Sequence, residues 1–135
     1  MLVRTMAGAA LGAALAASAQ AQGFDGTYVG TRTITLSQSA HGGPLSDCPG
    51  TGGMRTAIEF RVAHGTITLR YLVRRDAVFT GKIRPDGAFT IIGPWAGATV
   101  TWSGRIEGRR LRGKLVSTPP RGGTCRGTLS AQKRS

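Results

Sequence analysis

The fold of this chain is decided by the stretch W-S-G-R-I-E-G-R-R-L-R-G-K-L, residues 102–115. Apolar and polar residues alternate along it, which is the period-two pattern of a strand with one buried face. The pair Glu107-Gly108 interrupts this alternation near its centre and favours a tight turn. The stretch therefore predicts two antiparallel strands that place their apolar side chains on one side and their basic side chains on the other.

The same alternation extends along the chain beyond residue 22. Glycine interrupts nearly every window that is long enough for a helix. Further turn signals stand at His64-Gly65 and Pro85-Asp86-Gly87, and slightly longer connections are expected at 74–76 and 93–97. We expect eight strands, near residues 26–36, 54–63, 66–73, 78–84, 88–92, 98–106, 109–116 and 124–131.

A repeated motif favours closure of these strands into a barrel. A bulky residue is followed two positions later by glycine and after two more by an aliphatic residue, as in Phe79-x-Gly81-x-Ile83, Trp102-x-Gly104-x-Ile106, Leu111-x-Gly113-x-Leu115 and Cys125-x-Gly127-x-Leu129. Glycine at an inward position lets a strand bend sharply. We therefore predict an all-β fold, a small antiparallel up-and-down meander of about eight strands that closes into a barrel. A flattened β-sandwich is the alternative.

Residues 1–21 have the features of a secretory signal peptide. Arg4 supplies a positive start, residues 6–17 form an Ala-rich apolar segment, and Ala19-Gln20-Ala21 suits cleavage. We expect residues 22–135 to form one domain. That domain would be periplasmic or secreted, with no transmembrane segment after cleavage. An uncleaved N-terminal anchor helix is the alternative.

The two cysteines, Cys48 and Cys125, both follow the signal segment. In an oxidising compartment such a pair predicts one disulfide. Cys48 lies in the longest irregular stretch, the Ser- and Gly-rich residues 37–53, so the disulfide would tie this loop to the last strand. No Cys-x-x-Cys or histidine cluster accompanies the pair. We therefore predict no metal site and no cofactor.

Charge is the most prominent feature of the composition. The chain has 18 Lys and Arg against 6 Asp and Glu, a formal net charge of +12 that falls to +11 without the signal segment. Nucleic acid is an unlikely partner, because stacking on bases needs exposed aromatic rings among the cations, whereas the strand aromatics have inward parity. Export also separates the protein from the usual nucleic-acid partners.

Strand parity places five bases on the outer face of three neighbouring strands. They are Arg105, Arg110, Arg112, Lys114 and Arg126. Such a basic patch favours an anionic envelope component or an acidic protein as partner. A solubilising strand face in an Arg-rich proteome is the alternative.

The residues do not indicate catalysis. The types found in a hydrolytic triad, His41, Ser46 and Asp47, occur only in the Gly-rich loop, where nothing in their spacing orders them. No pair of carboxylates is placed by the sequence at a working separation for acid–base chemistry. We therefore predict that the protein is not an enzyme and has no catalytic residues.

Three inward residues, Tyr28, Arg32 and Trp102, are candidate contacts for a ligand inside the barrel. A buried arginine needs a partner or a bound anion. For Arg32 we favour a bulge near Gly30 that turns it outward, or a position at the barrel mouth. Trp95, in a turn that looks exposed, is the best candidate for a contact hot spot.

Several motifs resemble a family of small exported bacterial β-barrel proteins of unassigned function. The segments that carry the resemblance are F-D-G-T-Y-V-G (24–30), G-K-I-R-P-D-G-A-F (81–89), W-S-G-R-I-E-G-R-R-L-R-G (102–113) and T-C-R-G (124–127). Members of that family carry a signal peptide, recurrent D-G turns and a terminal C-x-G. The resemblance implies an exported barrel and adds no site residues.

Two shorter segments, G-T-Y (26–28) and T-W-S-G (101–104), are similar to strands of avidin-type barrels. The positions that should offer hydroxyl groups to the ligand are Ala98 and Val100. The later strand that should carry another tryptophan has Lys114 and Leu115. The similarity therefore implies a shared barrel pattern and does not imply biotin binding.

Together these features predict an exported, non-enzymatic binding protein of the cell envelope whose basic outer wall meets an anionic surface or partner. One alternative is a proteinaceous inhibitor of a secreted hydrolase, docking through the turn at 94–97 or the loop at 37–53. Another is a carrier that holds a small ligand in the barrel interior.

Overall fold

The computed structural model describes residues 23–38, 55–95, 97–118 and 122–134. The described residues form eight strands and no helix. The strands are β1 (Gly26–Gln38), β2 (Arg55–Ala63), β3 (Thr66–Tyr71), β4 (Val78–Ile83), β5 (Ala88–Trp95), β6 (Ala98–Glu107), β7 (Arg110–Thr118) and β8 (Thr124–Lys133). The all-β class and the eight strands predicted from the alternation are confirmed.

Each strand pairs antiparallel with its neighbours in sequence, and β8 pairs with β1, so that the sheet closes into a barrel. At this seam Gly30 of β1 lies opposite Ile58 of β2 on one side and Ala131 of β8 on the other. Closure pairs both edges of the sheet. The predicted up-and-down barrel is confirmed, and the flattened sandwich is wrong.

The hairpin of β6 and β7 shows how the alternation builds the core. Trp102 lies opposite Leu115, and Ile106 lies opposite Leu111. All four side chains point inward, with at most 1% of their surface exposed. The other large, fully buried apolar side chains come from β1, β2, β3 and β5: Tyr28, Ile58, Phe60, Ile67, Leu69, Tyr71 and Ile91.

The repeated glycines lie where neighbouring strands approach closely. A Cβ atom added at Gly104 would collide with the carbonyl oxygen of Arg112, and one added at Gly30 would collide with that of Ser130. Only glycine fits such a contact without a shift of the backbone. Three further glycines meet a neighbouring carbonyl oxygen in the same way: Gly81, Gly113 and Gly127. The motif glycines therefore allow the close approach of neighbouring strands in the barrel wall.

The two ends of the barrel differ in their connections. At one end, the turn end, the strands are joined by the short segments 64–65, 84–87 and 108–109. At the other, the loop end, they are joined by 39–54, 72–77, 96–97 and 119–123. The two-residue turn between β2 and β3 has His64 at φ 53° and Gly65 at φ 78°, the pair of left-handed residues that a type I′ hairpin uses.

Strand β5 is longer than predicted. The residues predicted as a connection, 93–97, continue β5 as far as Trp95, which lies opposite Ala98 of β6. Proline is tolerated here because β4 pairs with β5 only through Phe89 and Thr90, so that Pro94 interrupts no ladder on that side.

Strand β1 also extends into a segment predicted to be irregular. Ser37 and Gln38 pair with Cys125 and Thr124 of β8, beyond a register shift between Ile34 and Leu36. Residues 39–53 of the predicted loop, with Cys48, lie outside the described residues, as do residues 1–21 of the predicted signal segment. In the described ranges, no helix combines the length and apolar character needed to cross a membrane.

Candidate functional site

The five predicted outward bases do share one outer surface. Arg105 of β6, Arg110, Arg112 and Lys114 of β7, and Arg126 of β8 are all exposed, and these three strands are neighbours in the barrel. We call these five residues the basic wall. They stand outward because the alternating partners in the same strands, such as Leu111 and Leu115, fill the core.

Two arginines of the basic wall face each other directly. Arg105 and Arg112 are opposite residues in the β6–β7 ladder. Cβ atoms of such pairs lie about 4.5–5.5 Å apart, and like charges there are destabilising. The repulsion between the two arginines slightly lowers the stability of the folded protein. A bound anion would reduce this repulsion.

One carboxylate reaches the edge of the basic wall. Asp86 lies 3.7 Å from the guanidinium of Arg105 and 3.7 Å from that of Arg84. The hydrogen bond from the Ala88 backbone N–H lowers the pKa of Asp86, and the two arginines lower it further. This exposed carboxylate therefore stays ionised and is shared between two cations.

The rest of the basic wall has no such neighbour. Among the described residues no carboxylate lies within ion-pair distance of Arg110, Arg112, Lys114 or Arg126. Glu107 is opposite Arg110 in the ladder, and these two line a surface depression together with Arg105 and Arg112. The depression therefore has three cations and one anion among its described lining residues.

Arg126 is displaced from the other four bases. It lies opposite Val116, whereas Lys114 lies opposite Thr128. The row of the sheet that contains Arg126 is therefore one outward position nearer the loop end than the row that contains Lys114. Sequence parity predicts the face on which Arg126 lies but not its row, because the row depends on the register between β7 and β8.

The candidate interior residue Arg32 lies inside the barrel. Its side chain is fully buried, and the register shift of β1 falls later, between Ile34 and Leu36. The predicted bulge near Gly30 that would turn it outward is therefore wrong. Burial lowers the pKa of the Arg32 guanidinium, while the electrostatic interaction and hydrogen bond with Tyr71 raise it.

Trp102 contacts the same tyrosine from the other side. Its indole Nε1–H donates a hydrogen bond of 3.3 Å to the Tyr71 hydroxyl, and the Arg32 guanidinium carbon lies 5.8 Å from the Tyr71 ring centroid. Burial raises the pKa of Tyr71, which the hydrogen bond from Trp102 and the charge of Arg32 partly oppose. Tyr71 thus links two of the three predicted interior residues, and sequence reasoning did not single it out.

The third predicted interior residue lies elsewhere. The Tyr28 hydroxyl donates a hydrogen bond of 2.8 Å to the backbone oxygen of Phe24, next to the turn end. Tyr28 is four residues before Arg32 in the same strand, a separation of about 13 Å at 3.3 Å per residue. The structure therefore does not bring Tyr28 together with Arg32 and Trp102.

Trp95 is half-buried and forms the end of β5, so its predicted place in an exposed turn is wrong. Its ring centroid lies 5.0 Å from that of Tyr71 and 5.6 Å from that of Phe79. Phe79 in turn lies 4.6 Å from Trp102, and the exposed Arg74 guanidinium lies 5.9 Å from the Trp95 ring. These four rings form one aromatic cluster at the loop end.

Two buried hydroxyl groups of the described strands make no hydrogen bond. Thr56 and Ser117 are 5% and 2% exposed, and their hydroxyl oxygens have no hydrogen-bond partner. Cys125, the described member of the predicted disulfide, is fully buried opposite Ser117. No group of three or more metal-ligating side chains occurs in the part of the chain that the structure describes.

Comparison of the chain with protein-family models, with curated proteins and with solved structures found no match. The two resemblances noted in the sequence therefore stay predictions.

Proposed function

We propose that the protein is an exported, non-enzymatic binding protein of the cell envelope whose basic wall meets an anionic surface or partner. The observation that supports this most directly is the pair Arg105 and Arg112, which face each other on the outer surface. Close like charges are a cost to the free protein. An anionic partner that binds beside the two arginines would be attracted to both of them and would reduce their mutual repulsion.

The strength of such binding depends on many weak contacts. A single exposed ion pair contributes about 0–1 kcal/mol, so useful affinity must come from several such contacts acting together. Salt screens exposed charges over about 10 Å at 0.1 M ionic strength. Binding through the basic wall should therefore be steeply salt-dependent.

The two alternative functions gain less support. An inhibitor that docks through the segment 94–97 would rely on Trp95, but this ring packs against Tyr71 and Phe79. A carrier would need interior space, whereas the large side chains of Phe60, Tyr71 and Trp102 point into the barrel and are fully buried.

Export and the disulfide belong to the same proposal. Cys125 is buried in β8, where a bond to Cys48 would fasten the segment after β1 to the seam of the barrel. Closing a loop of this length stabilises a domain by roughly 4 kcal/mol in the chain-entropy model. Mass spectrometry of alkylated protein, with and without prior reduction, would detect the bond, and two alkylated thiols in the unreduced sample would contradict it.

The test of the basic wall is binding to dextran sulfate, a soluble polyanion, over a range of salt concentrations. Replacement of Arg105, Arg110 and Arg112 by glutamine should weaken binding strongly at low salt. The matched control replaces Arg61, Arg70 and Arg75 by glutamine, which removes the same charge from β2, β3 and the segment after β3.

If the basic wall is the site, the control triple variant binds nearly as well as the wild type. Equal losses in both triple variants would mean that net charge alone matters, and the proposal would fail. Binding that persists unchanged in half-molar salt would also contradict it, because exposed charges are then largely screened.

A further inference from the structure

The basic wall continues into an unusual row of exposed aliphatic side chains. One register row runs across β5, β6, β7, β8 and β1 and joins Ile92, Thr101, Val116, Arg126 and Leu36. Three of the five exposed large hydrophobic residues of the described chain lie in this row: Ile92 at 63%, Leu36 at 39% and Val116 at 36% exposure. We call it the aliphatic row.

The rows next to it carry hydroxyl groups and then charge. Toward the turn end, the next row contains Thr90, Ser103, Lys114, Thr128 and Thr33. The one after that contains Ala88, Arg105, Arg112, Ser130 and Thr31. None of these fifteen outward positions is acidic. The surface is thus ordered as aliphatic, hydroxyl and cationic rows.

The aliphatic row can meet a flat surface. Strands of a small barrel tilt by about 35–45°, so a five-strand row at about 4.8 Å spacing covers only roughly a third of the circumference. Val116 stands at its centre, with Ile92 and Leu36 two strands away on either side. The three side chains therefore lie on one side of the barrel.

We infer that this surface docks on a phospholipid bilayer that carries anionic headgroups, an inference that rests on the proposed function of the basic wall. The aliphatic side chains of the row enter the boundary between headgroups and acyl chains, while its Arg126, together with Lys114 and Arg112, contacts phosphate groups. Interfacial binding of this kind combines buried apolar area with attraction to anionic lipid.

A bilayer fits these rows better than an acidic protein does. Exposed aliphatic side chains flanked by cations need both apolar and anionic groups from the partner, and a lipid surface supplies both without matching a particular shape. The outward hydroxyl row adds groups that hydrogen-bond to phosphate and glycerol oxygens. An acidic protein remains an outcome of the test.

The experiment measures binding of residues 22–135, the chain without the signal segment, to two kinds of vesicle. One contains phosphatidylcholine alone, and the other contains phosphatidylcholine mixed with phosphatidylglycerol. The test variant replaces Ile92 and Val116 by serine. The matched control replaces Val73 and Val78 by serine, because these are 59% and 41% exposed and lie outside the row. Far-UV circular dichroism checks that each variant keeps its strand content.

We expect binding to the anionic vesicles only, reduced about tenfold by the Ile92 and Val116 replacements and unchanged by the control. Binding of the test variant equal to that of the wild type overturns the bilayer inference. So does binding to dextran sulfate, or to an acidic protein, without binding to anionic vesicles; the proposed function then stands. Absence of binding to dextran sulfate and to anionic vesicles overturns the bilayer inference and the proposed function together.

Discussion

The two faces of the β6–β7 hairpin use alternate residues of one short stretch for opposite purposes. On the inner face Trp102, Ile106 and Leu111 are buried to at least 99%, and any change there alters packing. On the outer face Arg105 and Arg112 lie opposite each other in solvent, and their side chains take no part in the core. The contrast separates residues that determine the fold from residues that are available for a partner.

The largest effect should come from the inner face. Trp102→Ala removes a fully buried ring and the hydrogen bond to Tyr71, and we expect a loss of about 3–5 kcal/mol in the free energy of unfolding. Urea unfolding followed by tryptophan fluorescence, with Trp95 as the remaining probe, measures it. The neighbouring outward change Thr101→Ala is the control; a similar loss in both would break the contrast between the faces.

A second inner position tests packing without loss of a side chain. Gly104→Ala adds one methyl group where the Arg112 carbonyl oxygen already fills the space, and overpacking of this kind costs about 1–3 kcal/mol. Thermal unfolding would report the loss. Ser103→Ala, one residue away on the outer face, should change stability little. Unchanged stability in Gly104→Ala would mean that the strands can move apart locally.

Titration of Tyr71 gives a third test. Burial raises its pKa above the usual 10.0, so the folded protein keeps the phenol neutral while the unfolded chain ionises it. The resulting stability is complete below pH 10 and is lost as the pH rises through the folded-state pKa. In denaturant titrations above pH 10, Tyr71→Phe should make the decline shallower by up to about 1.4 kcal/mol per pH unit. Because burial also raises the pKa of Tyr28, the comparison is Thr101→Ala, which removes no ionisable group. A wild-type slope in Tyr71→Phe would contradict the prediction.

The smallest effect on stability should come from the outer face. Arg112→Thr removes one member of the pair with Arg105, and we expect the free energy of unfolding to stay within about 0.5 kcal/mol of the wild type or to rise slightly. Thermal unfolding at low salt would show it. Arg61→Thr, which removes a base paired with Glu59 at 3.2 Å, is the control. A large loss in Arg112→Thr would mean that the outer face also supports the fold.

Strand parity explains why the strands and the faces on which their side chains lie could be predicted from the sequence. In a paired strand alternate side chains must point to opposite faces, so the exposure of Arg110 and the burial of Leu111 follow from the sequence alone. The glycine motif likewise predicts a closed barrel, because glycine at an inward position lets a strand bend sharply. The resulting strand order is the simplest that a meander allows.

The contacts across the interior could not be predicted in the same way. The hydrogen bond between Trp102 and Tyr71 joins β6 to β3, and these strands are not neighbours in the sheet. Strand parity predicts that a side chain points into the barrel. It does not predict the position of that side chain along the barrel axis, which decides the side chains that it contacts. For the same reason the sequence favours a bulge or a barrel-mouth position for Arg32 and an exposed turn for Trp95, although both lie against the ring of Tyr71.

The seam between β1 and β8 has a consequence for how the chain reaches its native state. Neighbouring strands can pair as local hairpins within roughly 1–10 μs, but β1 must wait for a strand roughly a hundred residues further along the chain, and this non-local step slows folding. Until β8 is in place, β1 and β7 each keep one unpaired edge on which another copy could add. The interval before the last strand pairs is therefore the period of greatest risk of aggregation, and a shorter exposure of the β1 edge would improve the yield of folded protein.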